Sequence, residues 1–482
     1  FDDALIYYQK CLERQIFTWG DYHTEIASTL NSIGEIWYRK EQYEKALDYF
    51  EKCLHIRERL LGPNHTDLAE CYNNIGAIWS YREIYDKALS YFQKSLDIGL
   101  NTLGIEHPKV AIYYANIGGQ WSDQGFLDQA LEYCQKSLNI NLKIFGEKHI
   151  NVASSYIGIA NIWDKKKEYD IALELYEKVL DINLNILGDE HPEVANSYNY
   201  IAELWRNKKE NDKAMDFYHR SLEIRLKVFG PQDINVADSY NKIGILLHHQ
   251  KQYDKAIEYF QKSLEIRLNA PGMEDFDISF LYCNIGAAWG YKGECDKALE
   301  FYEKALQIKK KNYGPEHISL VTYYNNIGVA WSNKHEYEKA IEHYENSLDI
   351  QLKTLRSDHP DISDTLSRIG NAWSDINDFE KSLEYHQKSL DIRLNNFGEE
   401  HPDVAISYQN IAIAWFNKKD FKKSIQFYQK CIDIRLDLFG YNDPEVPLLH
   451  NLIGNAWADM GEPDQALESY QKSLNLNLER AE

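Results

Sequence analysis

Sixteen histidines, seven cysteines and 75 acidic side chains could supply metal ligands, nucleophiles or general acids, and their spacing decides which chemistry is open. His23, His65, His107, His149, His191, His317, His359 and His401 share one position of a 42-residue period. Zinc needs several ligands converging on one point. One histidine per period, exchanged for Asp233, Asp275 and Asp443 in the same column, fits helix capping instead, because both residue types accept a hydrogen bond from a first-turn N–H. The pair His248-His249 stands outside this column. Cys11, Cys53 and Cys431 fall where Ser95, Ser137, Ser221 and Ser263 stand in other periods, and Cys134 and Cys295 fall where others carry aromatic rings. That placement predicts small buried hydrophobes. No base peculiar to one period accompanies any of them, so no activated nucleophile is expected. Carboxylates recur in surface patterns such as Asp86-Lys87 and the i,i+4 pair Glu258 and Lys262. No glycine-rich phosphate loop is present. The expectation is a chain that is not an enzyme and needs no cofactor or metal.

Composition narrows the class further. Among 482 residues, 53 Lys and Arg oppose 75 Asp and Glu, a formal charge of −22. A nucleic-acid binder carries a basic footprint to neutralise phosphates, so no nucleic-acid partner is expected. Apolar residues at 44% and aromatics at 13% provide for a sizeable core. No run of 18 apolar residues exists, so no membrane-spanning helix is expected. An odd number of scattered cysteines without a CxxC pattern predicts reduced thiols and a cytoplasmic location.

The elements that position these residues follow from the repeat. The length equals 20 residues plus eleven units of 42. One glycine column runs through Gly20, Gly62, Gly104, Gly146, Gly188, Gly230, Gly272, Gly314, Gly398 and Gly440, broken only at Arg356. A second holds Gly34, Gly76, Gly118, Gly244, Gly286, Gly328, Gly370 and Gly454, with Ala160, Ala202 and Ala412 in the other slots. Ten of eleven tryptophans lie three residues after this second column, and Leu247 breaks the series. A strict period of this length is the signature of a solenoid. Within a unit, Leu68, Ala69, Tyr72, Ile75, Gly76 and Trp79 mark one face of a helix A over about Thr66–Arg82. Tyr85, Ala88, Leu89, Phe92, Leu96 and Ile98 mark a helix B over about Tyr85–Leu103. A short polar link makes the two antiparallel neighbours. Helix B should end at the first glycine column in a left-handed residue, and helix A should start at His-Pro-Asp/Glu-Val-Ala with proline at its first position. The predicted fold is all-α, a right-handed superhelical solenoid of antiparallel helix pairs. Residues 1–20 form the helix B and exit loop of an incomplete leading unit, and 21–482 form eleven tandem units in one continuous solenoid. Its ends carry ordinary repeat sequence, which predicts either a longer array or end-to-end self-association.

Tyr72, Ile75, Gly76, Trp79, Ala88, Phe92 and Ser95 follow the pattern of the tetratricopeptide repeat family, which the chain resembles over essentially its whole length. The 42-residue unit with Gly-x-x-His-Pro-Asp-Val-Ala is similar to that of kinesin light chains. The resemblance implies that helix A lines a concave groove. Two polar columns lie there: Asn74, Asn116, Asn284, Asn326 and Asn410, and one residue earlier in the unit Asn31, Asn73, Asn199, Asn241, Asn325 and Asn451. An asparagine amide offers both donor and acceptor, so it can grip a peptide backbone whatever the side chain. Kinesin light chains and the repeat arm of O-linked N-acetylglucosamine transferase use groove asparagines this way, and the resemblance carries that role to these positions. The competing explanation is that the asparagines bridge neighbouring A helices. A clamp for a ligand's paired carboxylates would need lysines in these columns; only Lys242 and Arg368 provide cations there.

The leading function is a non-catalytic scaffold binding an extended peptide or partner segment, with ligands bearing basic residues favoured by the acidic charge. A structural or self-assembling repeat protein and the recognition arm of a larger enzyme or signalling protein are the alternatives. The sixth unit departs most from the others. It has Leu247-His248-His249, Lys242 in a groove column, and Asn269-Ala270-Pro271-Gly272, where proline should stop helix B early. Residues 242–249 are therefore expected to form a distinct patch or a softened joint.

Overall fold

The structure, a computed structural model, describes residues 2–40, 42–270 and 275–480, without the side chains of residues 2 and 275–277. Among them there are 23 α-helices and no strand. The chain divides into two compact units, Phe1–Pro231 and Gln232–Glu482. Unit 1 holds α1 (Asp2–Trp19), α2 (Thr24–Arg39), α3 (Tyr43–Leu61), α4 (Thr66–Tyr81), α5 (Tyr85–Leu103), α6 (Pro108–Asp123), α7 (Leu127–Phe145), α8 (Ile150–Lys165), α9 (Tyr169–Leu187), α10 (Pro192–Asn207) and α11 (Asn211–Phe229). Unit 2 holds α12 (Ile234–His249), α13 (Tyr253–Asn269), α14 (Asp275–Tyr291), α15 (Cys295–Tyr313), α16 (Val321–Asn333), α17 (Tyr337–Thr354), α18 (Pro360–Asp375), α19 (Phe379–Phe397), α20 (Pro402–Asn417), α21 (Phe421–Phe439), α22 (Glu445–Asp459) and α23 (Pro463–Glu479). Short 3-10 turns precede α16 and α22. Even-numbered helices are the A helices and odd-numbered ones the B helices. No described helix is long and apolar enough to cross a membrane.

Most A–B pairs are held by a ring against a glycine, with Ala160, Ala202 and Ala412 in the glycine's place in three pairs and Cys134 in the ring's place over Gly118. A Cβ built at Gly76 would stand 2.8 Å from the Phe92 ring, and one at Gly328 would collide with the Tyr344 ring. The second glycine column therefore marks close helix approach. Trp79, behind it, is covered by the Lys87 ammonium 3.4 Å from the ring centroid, and Lys213 and Lys423 lie over Trp205 and Trp415 in the same way. A helices also touch the A helix of the next pair within each unit, as α4 does α6 and α18 does α20.

The capping expectation holds. All eight column histidines accept a backbone N–H two residues on at Nδ1, over 3.1–3.3 Å. Asp233 and Asp443 do so through Oδ1; the side chain of Asp275 lies outside the described residues. Four of these rings stack on an aromatic side chain four residues earlier, as His149 does on Phe145 at 4.2 Å.

The first glycine column is positive in φ, as expected, but its ψ lies near 165°, for example at Gly62, Gly104 and Gly188. This is the extended mirror region, which only glycine tolerates, rather than the left-handed helical cap. Where Arg356 replaces the glycine, α17 stops one residue sooner and Leu355 is in ordinary extended conformation. Gly272 lies outside the described residues, as does Pro271, although α13 does end at Asn269, with 17 residues against 19 in α11.

A third column at the A–B turn also requires positive φ. Gly125, Gly293 and Gly461 fill it in three pairs, but Glu83, Lys167, Lys209, Lys251, His335, Asn377 and Lys419 do so elsewhere. Each turn is closed by a bond spanning five residues, such as Glu210 N–H to the Trp205 carbonyl at 2.9 Å, the Schellman pattern. A side chain in the left-handed region is strained. Lys209→Gly and Lys167→Gly are each expected to stabilise unit 1 by about 0.5–1 kcal/mol, measured by urea unfolding.

Candidate functional site

The two asparagine columns turn out to be the two ends of one set of rungs. Asn74 Nδ2 donates to Asn31 Oδ1 at 3.1 Å, Asn116 to Asn73 at 2.7 Å, and Asn284 to Asn241 at 3.4 Å. In each rung the later residue lies 43 positions after the earlier, one more than the repeat. Asn326 donates to Cys283 Sγ in the same register. Two more rungs lie further along the A helices, Asn207 to the Asp164 carboxylate at 3.0 Å and Asn417 to Ser374 Oγ at 3.4 Å. Asn31 is buried and also donates to Glu35. Asn325 bonds weakly to Thr365 Oγ1, and the Oδ1 atoms of Asn325 and Asn199 are buried without a partner among the described residues. Asn410 on α20, Asn451 on α22 and Lys242 on α12 are half-buried; Arg368 on α18 is exposed beside Tyr344. The helix-A bridging considered from sequence is thus real for three asparagine pairs.

The ladder breaks in the middle of unit 1, where Ile157 and Tyr200 also stand in the rung column between α8 and α10. At the rung that would join α6 to α8, the positions are Ala115 and Gly158, neither of which has a side chain long enough to cross. A cavity of about 310 Å³ opens there, lined by Ala115, Gly119, Gly158, Asn161 and Ile162. Its depth has a second cause. The helix-B ring that faces the glycine column in neighbouring pairs, Phe92 or Tyr176, is replaced in α7 by Cys134, whose smaller side chain also lines the cavity. Burial pushes the Cys134 thiol up to about 11, so it is a surface to pack on rather than a nucleophile.

Polar groups share the lining with this apolar surface, among them Ser122, Ser137, Ser154 and Ser155. Lys165 Nζ pairs with Asp123 at 3.0 Å and donates to the Ser122 carbonyl. Asp164 accepts from Asn207, yet burial raises its pKa above the usual carboxylate value. Asn161 Oδ1 accepts a hydrogen bond from the Tyr176 hydroxyl, while its Nδ2 has no protein partner among the described residues. On the next A helix Tyr200 occupies the rung column and stacks on Tyr176 at 5.1 Å. The arrangement can hold an apolar group by burial, with a hydrogen-bond donor and carboxylates beside it.

The sixth repeat is distinctive in another way. Leu247 is buried in the tryptophan slot, and His248 packs edge-on against Tyr253 and Tyr291. Burial first, and then His249, hold the His248 imidazole below its ordinary pKa. Among the cysteines the expectation of burial fails at Cys11, which is exposed on α1. Cys295 is half-buried at the start of α15. Sequence reasoning passed over Cys71, which is buried against Cys53; its signal was a thiol in a column that is otherwise mostly Ser, Thr or Tyr.

Two family models described as tetratricopeptide repeat match the chain. One covers residues 193–269, 332–395 and 375–437; the other covers 26–67, 68–109, 110–151, 152–193 and 281–319. No curated protein matches. Solved structures similar to the chain include BtubC (BKLC) from P. vanneervenii, at 21% identity over 48% of this chain and 92% of that one, with a TM-score of 0.42. Nearly identical TPR-like repeats assigned as a kinesin light chain from Podosopora anserina match at 19% identity over 42% and 96%, with a TM-score of 0.38. The apo form of RapI matches at 18% over 59% and 97%, with a TM-score of 0.45. Helix pairs of this build, matched by family models along most of the length, make the chain a member of the tetratricopeptide repeat family.

Proposed function

We propose that the chain is a non-catalytic interaction scaffold that binds an extended peptide across the A helices of unit 1, seating one apolar side chain between α6 and α8. The observation that carries this reading is the cavity at the missing rung. In the preceding rungs the asparagine amides of Asn31 with Asn74 and Asn73 with Asn116 are engaged with one another, so a ligand gains most where the ladder is open. A 310 Å³ hole suits a side chain of leucine or phenylalanine size better than a whole small molecule. The charge of −22 and the carboxylates of Asp123 and Asp164 favour a basic residue next to the apolar anchor. Binding then weakens as salt rises.

A phage-displayed library of random dodecapeptides tests this reading. Wild-type protein is expected to enrich sequences sharing one apolar residue with Lys or Arg nearby. Cys134→Phe restores the ring that neighbouring pairs tolerate over their glycine, and Gly158→Asn supplies a side chain at the missing rung. Each is expected to reduce affinity for an enriched peptide by about tenfold or more, the weight of one buried apolar side chain. Equal binding by both variants would refute the cavity as the site. No enrichment at all, together with light scattering that grows with protein concentration, would favour the self-assembling alternative.

A further inference from the structure

Helices α3 and α4 meet through a thiol pair found in no other repeat. Cys53 Sγ lies 3.4 Å from Cys71 Sγ, and both residues are fully buried. The equivalent positions hold hydroxyls in other repeats, Ser137 with Ser155 and Ser389 with Ser407. Packing alone is therefore met by serine; two thiols add a chemistry that two hydroxyls lack.

A buried cation is aimed at one of the sulfurs. Arg57, 5% exposed, places Nη1 3.3 Å from Cys71 Sγ and 2.8 Å from the Asp67 carbonyl, with Glu70 at 3.5 Å on the outer side. In α19 the equivalent Arg393 donates to the Ser407 hydroxyl instead. A guanidinium beside a sulfur favours the thiolate, which is the reactive form. The hydrogen bond with Cys53, and then Arg57, hold the Cys71 thiol below its ordinary range, while the same contact and burial push Cys53 up. One thiol is thus prepared to attack and the other waits, protonated, within reach. Buried Cys431 occupies the same column as Cys53 and is also followed by an arginine, Arg435, but Leu449 stands where Cys71 would be.

We propose that Cys53 and Cys71 form a hydroperoxide-responsive site that closes to an intramolecular disulfide between α3 and α4. The Cys71 thiolate attacks one peroxide oxygen, the O–O bond breaks, and the departing hydroxide takes up the proton that Cys71 gave up, leaving water and a sulfenic acid. Cys53 Sγ then attacks that sulfur, the S–O bond breaks, and the second hydroxide leaves as water with the Cys53 proton. Two thiols lose two electrons and one peroxide gains them; a dithiol reductant reverses the change. The sulfurs must close from 3.4 Å to the ~2.05 Å of a disulfide. Full burial restricts the oxidant to one as small as hydrogen peroxide. The bond would staple a B helix to the following A helix covalently, across a joint otherwise held by packing and by the polar contacts of Arg57 and Tyr72.

Hydrogen peroxide applied to the reduced Cys11→Ser protein, followed by alkylation under denaturing conditions and peptide mapping, tests the site. The expected result is a Cys53–Cys71 linked peptide, two hydrogens lighter, forming at least tenfold faster than Cys431 loses its alkylation. Arg57→Gln should slow the reaction severalfold. The melting temperature should rise on oxidation of Cys11→Ser, and stay fixed when Cys53→Ser and Cys71→Ser are added, an exchange other repeats already contain. Retention of free thiol at Cys53 and Cys71 while Cys431 oxidises would overturn the proposal, as would sulfinic acid at Cys71 without a linked peptide.

Discussion

Lowering the pH from 7 to 4 is expected to remove about 3 kcal/mol of the stability of the region around α18–α20 through one side chain, His386. In most pairs the ring over the second glycine column is Phe or Tyr; in α19 it is this imidazole, 2% exposed, and a Cβ at Gly370 would stand 2.8 Å from its Cε1. Its Nδ1 is buried without a partner among the described residues. Burial, and then the Arg393 guanidinium, lower its pKa to about 4. The sign follows from which state takes the proton. Below its ordinary value near 6.5 the unfolded imidazole is protonated while the folded one stays neutral. Stability from this residue is therefore complete above pH 6.5 and declines as pH falls towards 4. His386→Phe, which copies Phe92, should leave stability at pH 7 close to wild type and flatten this part of the decline. Paired urea titrations at pH 7 and pH 4 measure the difference; equal acid losses in both proteins would refute it.

Arg393→Met is expected to cost roughly 3 kcal/mol, because it strips donors from several groups at once. The guanidinium is 5% exposed and donates to Ser363 Oγ at 3.1 Å, the Asp403 carbonyl at 3.1 Å, Ser407 Oγ at 2.8 Å and the Asp364 carboxylate at 2.6 Å. Asp364 is largely exposed and regains water, which limits the loss. The serine and carbonyl oxygens are enclosed between α18, α19 and α20 and do not. Stability in a repeat array is a sum of local terms, so the variant should show an early partial transition, with faster amide exchange in α18–α20 than elsewhere. Loss of Arg393 also removes a charge opposing protonation of His386, so the folded imidazole takes its proton at higher pH and this residue's share of the acid loss shrinks. A single unshifted unfolding transition would contradict the assignment.

Much of this organisation was legible in the sequence because it depends on residues that have few substitutes. Glycine under a ring and in the mirror-extended turn, tryptophan at the A–B turn, and His-Pro at a helix start each announce a local geometry. The first described full pair, Thr24–Arg39 with Tyr43–Leu61, and the pair Thr66–Tyr81 with Tyr85–Leu103 follow that pattern to within a residue. What escaped is of two kinds. Lys167 and Lys209 sit at left-handed turn positions that ordinary side chains occupy under strain, so nothing in their identity marks them. The rungs escaped because the two asparagine columns are aligned by the 42-residue period, whereas the bonds join residues 43 apart. That single-residue offset arises from how neighbouring A helices lie together, which a period alone does not contain. The cavity followed for the same reason: Ala115 and Gly158 look unremarkable in their own columns and matter only as a pair.

The rungs also have a sense. In every one the later repeat donates and the earlier accepts, and the bond from Asn207 to the Asp164 carboxylate fixes this orientation independently of how an amide is turned, since an ionised carboxylate only accepts. Within each unit the rung amides thus point the same way, like the teeth of a ratchet, although the weak bond from Asn325 to Thr365 runs in the other sense. A strand laid on that face in one direction meets donors and acceptors in a different order from the same strand reversed. The surface is therefore polar in the vectorial meaning of the word, and a sequence and its reversal are not equivalent to it.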